Sequence, residues 1–123
     1  MKTPKLVARF LPDEAGRPKV VKSDGTKHFT IELLVKDAPK DAFGVTYTLH
    51  DSYYDPVREV LGEAASGFPE EVTSYGDYRV RARVRSSDGS FPVSAKLSEA
   101  LRAFYGEELP PEIADAIQTI EKK

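Results

Sequence analysis

The chain contains no cysteine. That excludes disulfides and every thiolate metal site, and it removes the usual staple of small secreted domains. The N-terminal region holds no apolar core of signal-peptide length, and no segment approaches the ~20 apolar residues of a membrane helix. Neither sign of charge dominates: 18 basic and 20 acidic residues leave a formal net charge of −2 with a pI near 5.7. Such a balance gives no global attraction to polyanions, so a nucleic-acid role would need a local patch. Repeats and low-complexity stretches are missing as well. A cytoplasmic address is therefore the default expectation, with no membrane and no nucleic-acid partner. What is present is ordinary globular material: 123 residues, 40% hydrophobic and 31% charged. This is enough for one core and too little for two.

Period-two alternation is the dominant pattern. From Thr26 to Lys36, Phe29, Ile31, Leu33 and Val35 recur at alternate positions, which predicts a strand burying one face. Lys19 to Lys22 precede it, joined through Ser23-Asp24-Gly25-Thr26, a tight-hairpin signal. After a break around Pro39, Val45 to Leu49 alternates again and stops at His50. Pro56 then leads into Val57 to Val60, a weaker edge strand, and Ala64 to Pro69 reads as loop. Val72 opens another extended run. From Asp77 to Arg85 the alternation is cleanest, with Tyr78, Val80, Ala82 and Val84 on one side and Arg79, Arg81, Arg83 and Arg85 on the other. Ser87-Asp88-Gly89-Ser90 predicts a second hairpin that returns Phe91 to Ala95 onto the arginine strand. Lys5 to Leu11 can add one more edge strand.

Beyond Lys96 the period changes. Leu97, Ala100, Leu101, Phe104 and Tyr105 follow helical spacing up to Gly106. Pro111 suits the first turn of a second helix, with Ile113, Ala116, Ile117 and Ile120 as its stripe and Lys122-Lys123 at its C-terminal end. The expected fold is mainly all-β: a β-sandwich of about seven or eight strands over residues 1–96. Residues 97–123 are expected to form a helical extension packed on the same domain.

Two aromatic clusters end strand-like segments: Leu49-His50-Asp51-Ser52-Tyr53 and Ser74-Tyr75-Gly76-Asp77-Tyr78. Rings with a serine and a histidine can sandwich a flat polarised group and hydrogen-bond its edge, and neither cluster resembles a nucleophile with its base. Adjacent His50, Asp51 and Ser52 point in different directions, unlike a triad assembled from distant segments. No phosphate loop, HExxH pair or EF-hand spacing occurs. The residues thus predict a binding module, with no catalytic residue, no metal and no cofactor.

The stretch from Val45 to Arg85 resembles the YEATS domain, particularly its prokaryotic branch. Tyr47-Thr48-Leu49-His50-Asp51-Ser52-Tyr53, followed by Pro56, is similar to one family motif. Ser74-Tyr75-Gly76-Asp77-Tyr78 is similar to the family's Gly-Trp/Tyr-Gly-Glu-Phe loop, with Ser74 in place of its first glycine. The resemblance implies an immunoglobulin-like β-sandwich. It also implies a cleft in which His50, Ser52, Tyr53, Ser74, Tyr75, Gly76 and Tyr78 hold an acylated lysine of the acetyl or crotonyl type, or a similarly modified peptide. Gly76 would either let backbone approach the ligand or take a positive φ. The rings of Tyr53 and Tyr75 would lie within about 7 Å of each other.

Blander readings stand beside these. His50 can simply bond a neighbouring carbonyl or hydroxyl. Tyr78, at an alternating strand position, can be a ring at the rim of the core, and Tyr53-Tyr54 can belong to a protein–protein patch. The four arginines can be balanced across strands by Glu32, Glu59, Glu70 and Glu71. The resemblance implies one further alternative, because prokaryotic members often belong to multidomain conflict-system proteins. The chain would then be an adaptor in a signalling or defence assembly that holds its partners through the arginine face or helix stripes. The oligomeric state is left open by the sequence.

Overall fold

The computed structural model describes residues 3–23 and 25–122, without the side chain of Ser23. It holds eight strands and two helices: β1 (Lys5–Phe10), β2 (Val20–Ser23), β3 (Thr26–Lys36), β4 (Gly44–Thr48), β5 (Val57–Leu61), β6 (Glu70–Ser74), β7 (Arg79–Ser86), β8 (Gly89–Lys96), α1 (Leu97–Tyr105) and α2 (Pro111–Glu121). All ladders are antiparallel. In the first sheet β3 is the spine: β1 and β2 share one of its edges and β6 takes the other. The second sheet runs β5-β4-β7-β8.

Alternation does what it predicts. Phe29, Ile31, Leu33 and Val35 of β3 and Val80, Ala82 and Val84 of β7 are buried. They meet Val45 and Tyr47 of β4 between the sheets, forming a single core. Val57–Leu61 is an edge strand, and Lys5–Phe10 is one too, although α1 lies against it. The Phe10 N–H donates to the Tyr105 hydroxyl at 2.8 Å. Leu97, Ala100, Leu101, Ala116, Ile117 and Ile120 join the same core, and Arg102 and Glu121 tie α1 to α2 at 2.8 Å. No helix among the described residues is long and apolar enough to cross a membrane.

Ser23 pairs with Thr26 and Gly25 has φ +79°, as the expected tight turn requires, while Asp24 lies outside the described residues. Other local expectations shift. Ser86 pairs with Gly89, so the second turn consists of Ser87 and Asp88 alone and Ser90 is already in register with Arg85. At the C-terminus Lys122 caps α2, and Lys123 lies outside the described residues. Residues 64–69 are more ordered than a plain loop. Ala64–Ser66 form one 3₁₀ turn closed by Gly67 at φ +75°. Phe68 follows at φ 53° and is fully buried. A phenylalanine in the left-handed region is disfavoured. Here the cost is offset by burial of its ring and by its carbonyl, which accepts a 2.7 Å bond from the buried Tyr47 hydroxyl.

Acid balancing of the arginine row holds only for Glu59, which pairs with Arg85 across β4. Glu32 pairs instead with Arg9 at 2.8 Å and Glu70 with Arg58 at 2.9 Å. Glu71 stands opposite Glu32 in the first sheet. Sequence neighbours on alternate strands had suggested one face, but β3 and β6 belong to the other sheet.

Tyr47→Phe leaves the Phe68 carbonyl buried without its donor and should cost about 1–3 kcal/mol in urea unfolding; an unchanged midpoint would contradict the inter-element tie. Burial, reinforced by Glu70 and Glu32, holds the Tyr47 phenol well above its ordinary value of 10.0. The phenol of the unfolded chain ionises first, so the contribution is full below pH 10 and is lost as pH rises beyond it. Tyr47→Phe should flatten that alkaline decline in thermal unfolding.

Candidate binding cleft

The β4–β5 and β6–β7 connections meet beside the N-terminus of α1. The first loop is closed at its base, where the Leu49 N–H donates to the Pro56 carbonyl at 2.7 Å, and Leu49 itself is anchored in the core. Inside it the Tyr53 N–H donates to the His50 carbonyl at 3.1 Å. The Ser52 N–H donates to His50 Nδ1 at 3.1 Å, with the Ser52 hydroxyl 2.8 Å from the same nitrogen. Asp51 Oδ1 stands 3.3 Å from the same nitrogen, so the Nδ1 edge of the imidazole is turned into its own loop.

The second loop is held from behind. Ser74 is buried, its hydroxyl donates to the Gly76 carbonyl at 2.7 Å, and the Gly76 N–H donates back at 3.3 Å. The Asp77 carboxylate accepts from the Ser98 N–H at 3.0 Å and the Ser98 hydroxyl at 2.7 Å. The Tyr78 carbonyl accepts from the Leu97 N–H at 2.8 Å. Helix α1 thus begins on the loop, with an acceptor for two of its first donors and a negative charge at its positive end.

Between the loops lies an open cleft of about 410 Å³, lined by His50, Ser52, Tyr53, Ser74, Tyr75, Gly76 and Tyr78 together with His28, Tyr54, Thr73 and Asp77. All seven residues singled out from the sequence line this one concavity. The Tyr78 hydroxyl donates to that of Tyr53 at 3.1 Å, which donates to the Thr73 carbonyl at 2.6 Å. Ring centroids are 5.6 Å apart for Tyr53 and Tyr78 and 6.1 Å for His50 and Tyr78. Burial and the neighbouring Tyr53 push the Tyr78 phenol far above its ordinary range, so it remains a donor at any ordinary pH.

Three expectations change in detail. No ring contact joins Tyr53 to Tyr75 among the described residues. Tyr53 turns to Tyr78, and Tyr75 stands edge-on to His28 at 5.2 Å. The cause is register: Ser74 pairs with Phe29, which sets Tyr75 beside His28 on β3. Gly76 takes no positive φ, since that conformation falls to other glycines. The Ser74 hydroxyl is spent on its own loop and shapes the wall. His28, Tyr54, Thr73 and Asp77 were not among the expected site residues; His28 lies on the polar phase of β3 just before Phe29, and only the pairing with β6 shows where it leads.

A family profile described as the prokaryotic YEATS domain matches residues 28–97. The chain is a member of the prokaryotic YEATS domain family. The match runs from His28 to the first residue of α1 and includes both loops, and the two-sheet arrangement is the immunoglobulin-like sandwich of that family. Among solved structures, the chain is similar to a Yaf9 YEATS domain recognising an H3 peptide, with 18% identity, TM-score 0.48, and coverage of 80% of this chain and 77% of that one. It is also similar to the yeast AF-9 homolog protein Yaf9, with 15% identity, TM-score 0.45, and coverage of 89% and 92%. No curated protein matches the sequence.

In this YEATS domain Asp77→Ala removes the carboxylate that accepts from the Ser98 N–H and hydroxyl, while the Tyr78 carbonyl still takes the Leu97 N–H. It should cost about 0.5–2 kcal/mol, as loss of a helix cap does, and broaden the amide resonances of residues 74–78. Resonances as sharp as in the parent chain would show that the helix does not hold the loop.

Proposed function

We propose that this domain is a non-catalytic recognition module that binds an acylated lysine, of the acetyl or crotonyl type, presented on a peptide or protein. The observation that carries the reading is the convergence of Tyr53, Tyr78 and His50 from two loops, with Tyr75 and His28 on the opposite flank of the same cleft. An acyl amide is neutral, planar and polarised. Rings can cover its faces while a hydroxyl, an imidazole N–H or a loop amide bonds its ends. The Asp77 carboxylate is occupied by Ser98 and that of Asp51 stands against His50 Nδ1 at 3.3 Å, so the walls offer mainly rings and hydroxyls. A group without charge enters such a cleft without the penalty of stripping water from an ion.

Amide NMR spectra recorded while acetyl-lysine and crotonyl-lysine peptides are added should show saturable shifts at residues 50–53 and 74–78. Tyr75→Ala should weaken that binding at least about tenfold, as loss of an aromatic anchor does. Shifts that do not saturate, or that ignore Tyr75→Ala, would refute the reading.

A further inference from the structure

The outer face of the second sheet is built unlike the rest of the surface. Arg79, Arg81, Arg83 and Arg85 project from β7 at alternate positions, with Lys96 beside Arg79 on β8. Thr46 and Thr48 of β4 flank them on one side, and Ser90 and Ser94 of β8 on the other. With Glu59 as its acidic residue, the face carries a formal +4, and the remainder of a chain whose total is −2 therefore carries −6. Arg79, Arg81 and Arg83 have no carboxylate partner among the described residues. Serines hold two of them instead: Arg79 Nη1 donates to Ser94 at 3.2 Å and Arg83 Nη1 to Ser90 at 3.0 Å. Each guanidinium presents five N–H donors, so one bond to a hydroxyl orients the fork and leaves most of it open. Arg81 and Arg83 border a shallow groove of about 590 Å³ with Thr46, Thr48, Pro92 and Ser94.

We propose that this arginine ladder docks an extended acidic protein segment with Asp or Glu at alternate positions. Side chains two apart on a strand are separated by roughly 7 Å, and the same repeat holds for an extended peptide laid along β7. The ladder already shows how it takes a carboxylate. Glu59 reaches Arg85 over Gly44, where an added Cβ would stand 3.0 Å from Arg85 Nη2. Two features favour a short acidic segment over nucleic acid. The groove beside Arg81 and Arg83 has no aromatic ring in its lining on which a base could stack, and the Phe43 ring at the far end of the ladder is covered by the Arg85 guanidinium at 5.7 Å. The −6 of the remaining surface opposes a polyanion longer than the face, whereas a short segment stays within it.

Fluorescence anisotropy with a labelled peptide of alternating Glu and Ser, at low salt, tests this on the whole chain. Saturable binding is expected, with Arg81→Glu/Arg83→Glu weakening it at least about tenfold. The milder Arg81→Gln/Arg83→Gln pair should weaken it in the same direction, which guards against a folding defect in the reversed variant. An all-Ser/Lys peptide should not bind. Absence of saturable binding, indifference to both variant pairs, or tighter binding of duplex DNA of equal charge would each overturn the proposal.

Discussion

Burial of one face of β3 is the constraint on which the rest depends. This strand pairs along one edge with β1 and β2 and along the other with β6. Its Ile31 and Leu33 are wholly inaccessible at the centre of the core. A slip of one residue would turn that apolar set to water and is therefore strongly disfavoured. The fixed register has a consequence far from the core, because aligning Phe29 with Ser74 is what brings His28 and Tyr75 together. The second sheet supplies the other flank, through Tyr53 at the turn beyond β4 and Tyr78 at the mouth of β7. The hydroxyl chain from Tyr78 through Tyr53 to the Thr73 carbonyl then joins the two sheets at the cleft.

Helix α1 enters the same account. Its first residues bond the Asp77 carboxylate and the Tyr78 carbonyl, so the cleft is braced by an element outside the aromatic motifs. The core does the rest, since Leu97, Ala100 and Leu101 fill it beside β1. A loop fixed at both ends loses less entropy when a ligand orders it, which is how a shallow site can still bind.

Much of the fold was legible because it is written in local periods. The alternation of β3 and β7, the apolar stripes of α1 and α2, and the membership of both aromatic clusters in one cleft could be read from residue spacing and motif. What could not be read depends on partners distant in sequence. Phe68 sits in a stretch with turn-like composition, and only the Tyr47 hydroxyl, 21 residues away, explains why it is buried with a left-handed backbone. The pairing of Tyr75 with His28 rather than Tyr53 follows from the β3–β6 register, which no local pattern encodes. The arginine row was legible as a row. Of its expected acids only Glu59 shares its sheet, because strand order within a sheet is not a property of any single segment.

The domain thus presents two chemically distinct surfaces: a cleft of rings and hydroxyls where the loops meet, and a cationic ladder on the outside of the second sheet. The most direct test of the central claim is to record intermolecular nuclear Overhauser effects between the acyl protons of a crotonyl-lysine peptide and the protein. Contacts from those protons to the ring protons of Tyr53, Tyr75 and Tyr78 are the predicted result. Contacts confined to other parts of the surface, or none at saturating peptide, would contradict the account of the cleft as an acyl-lysine site.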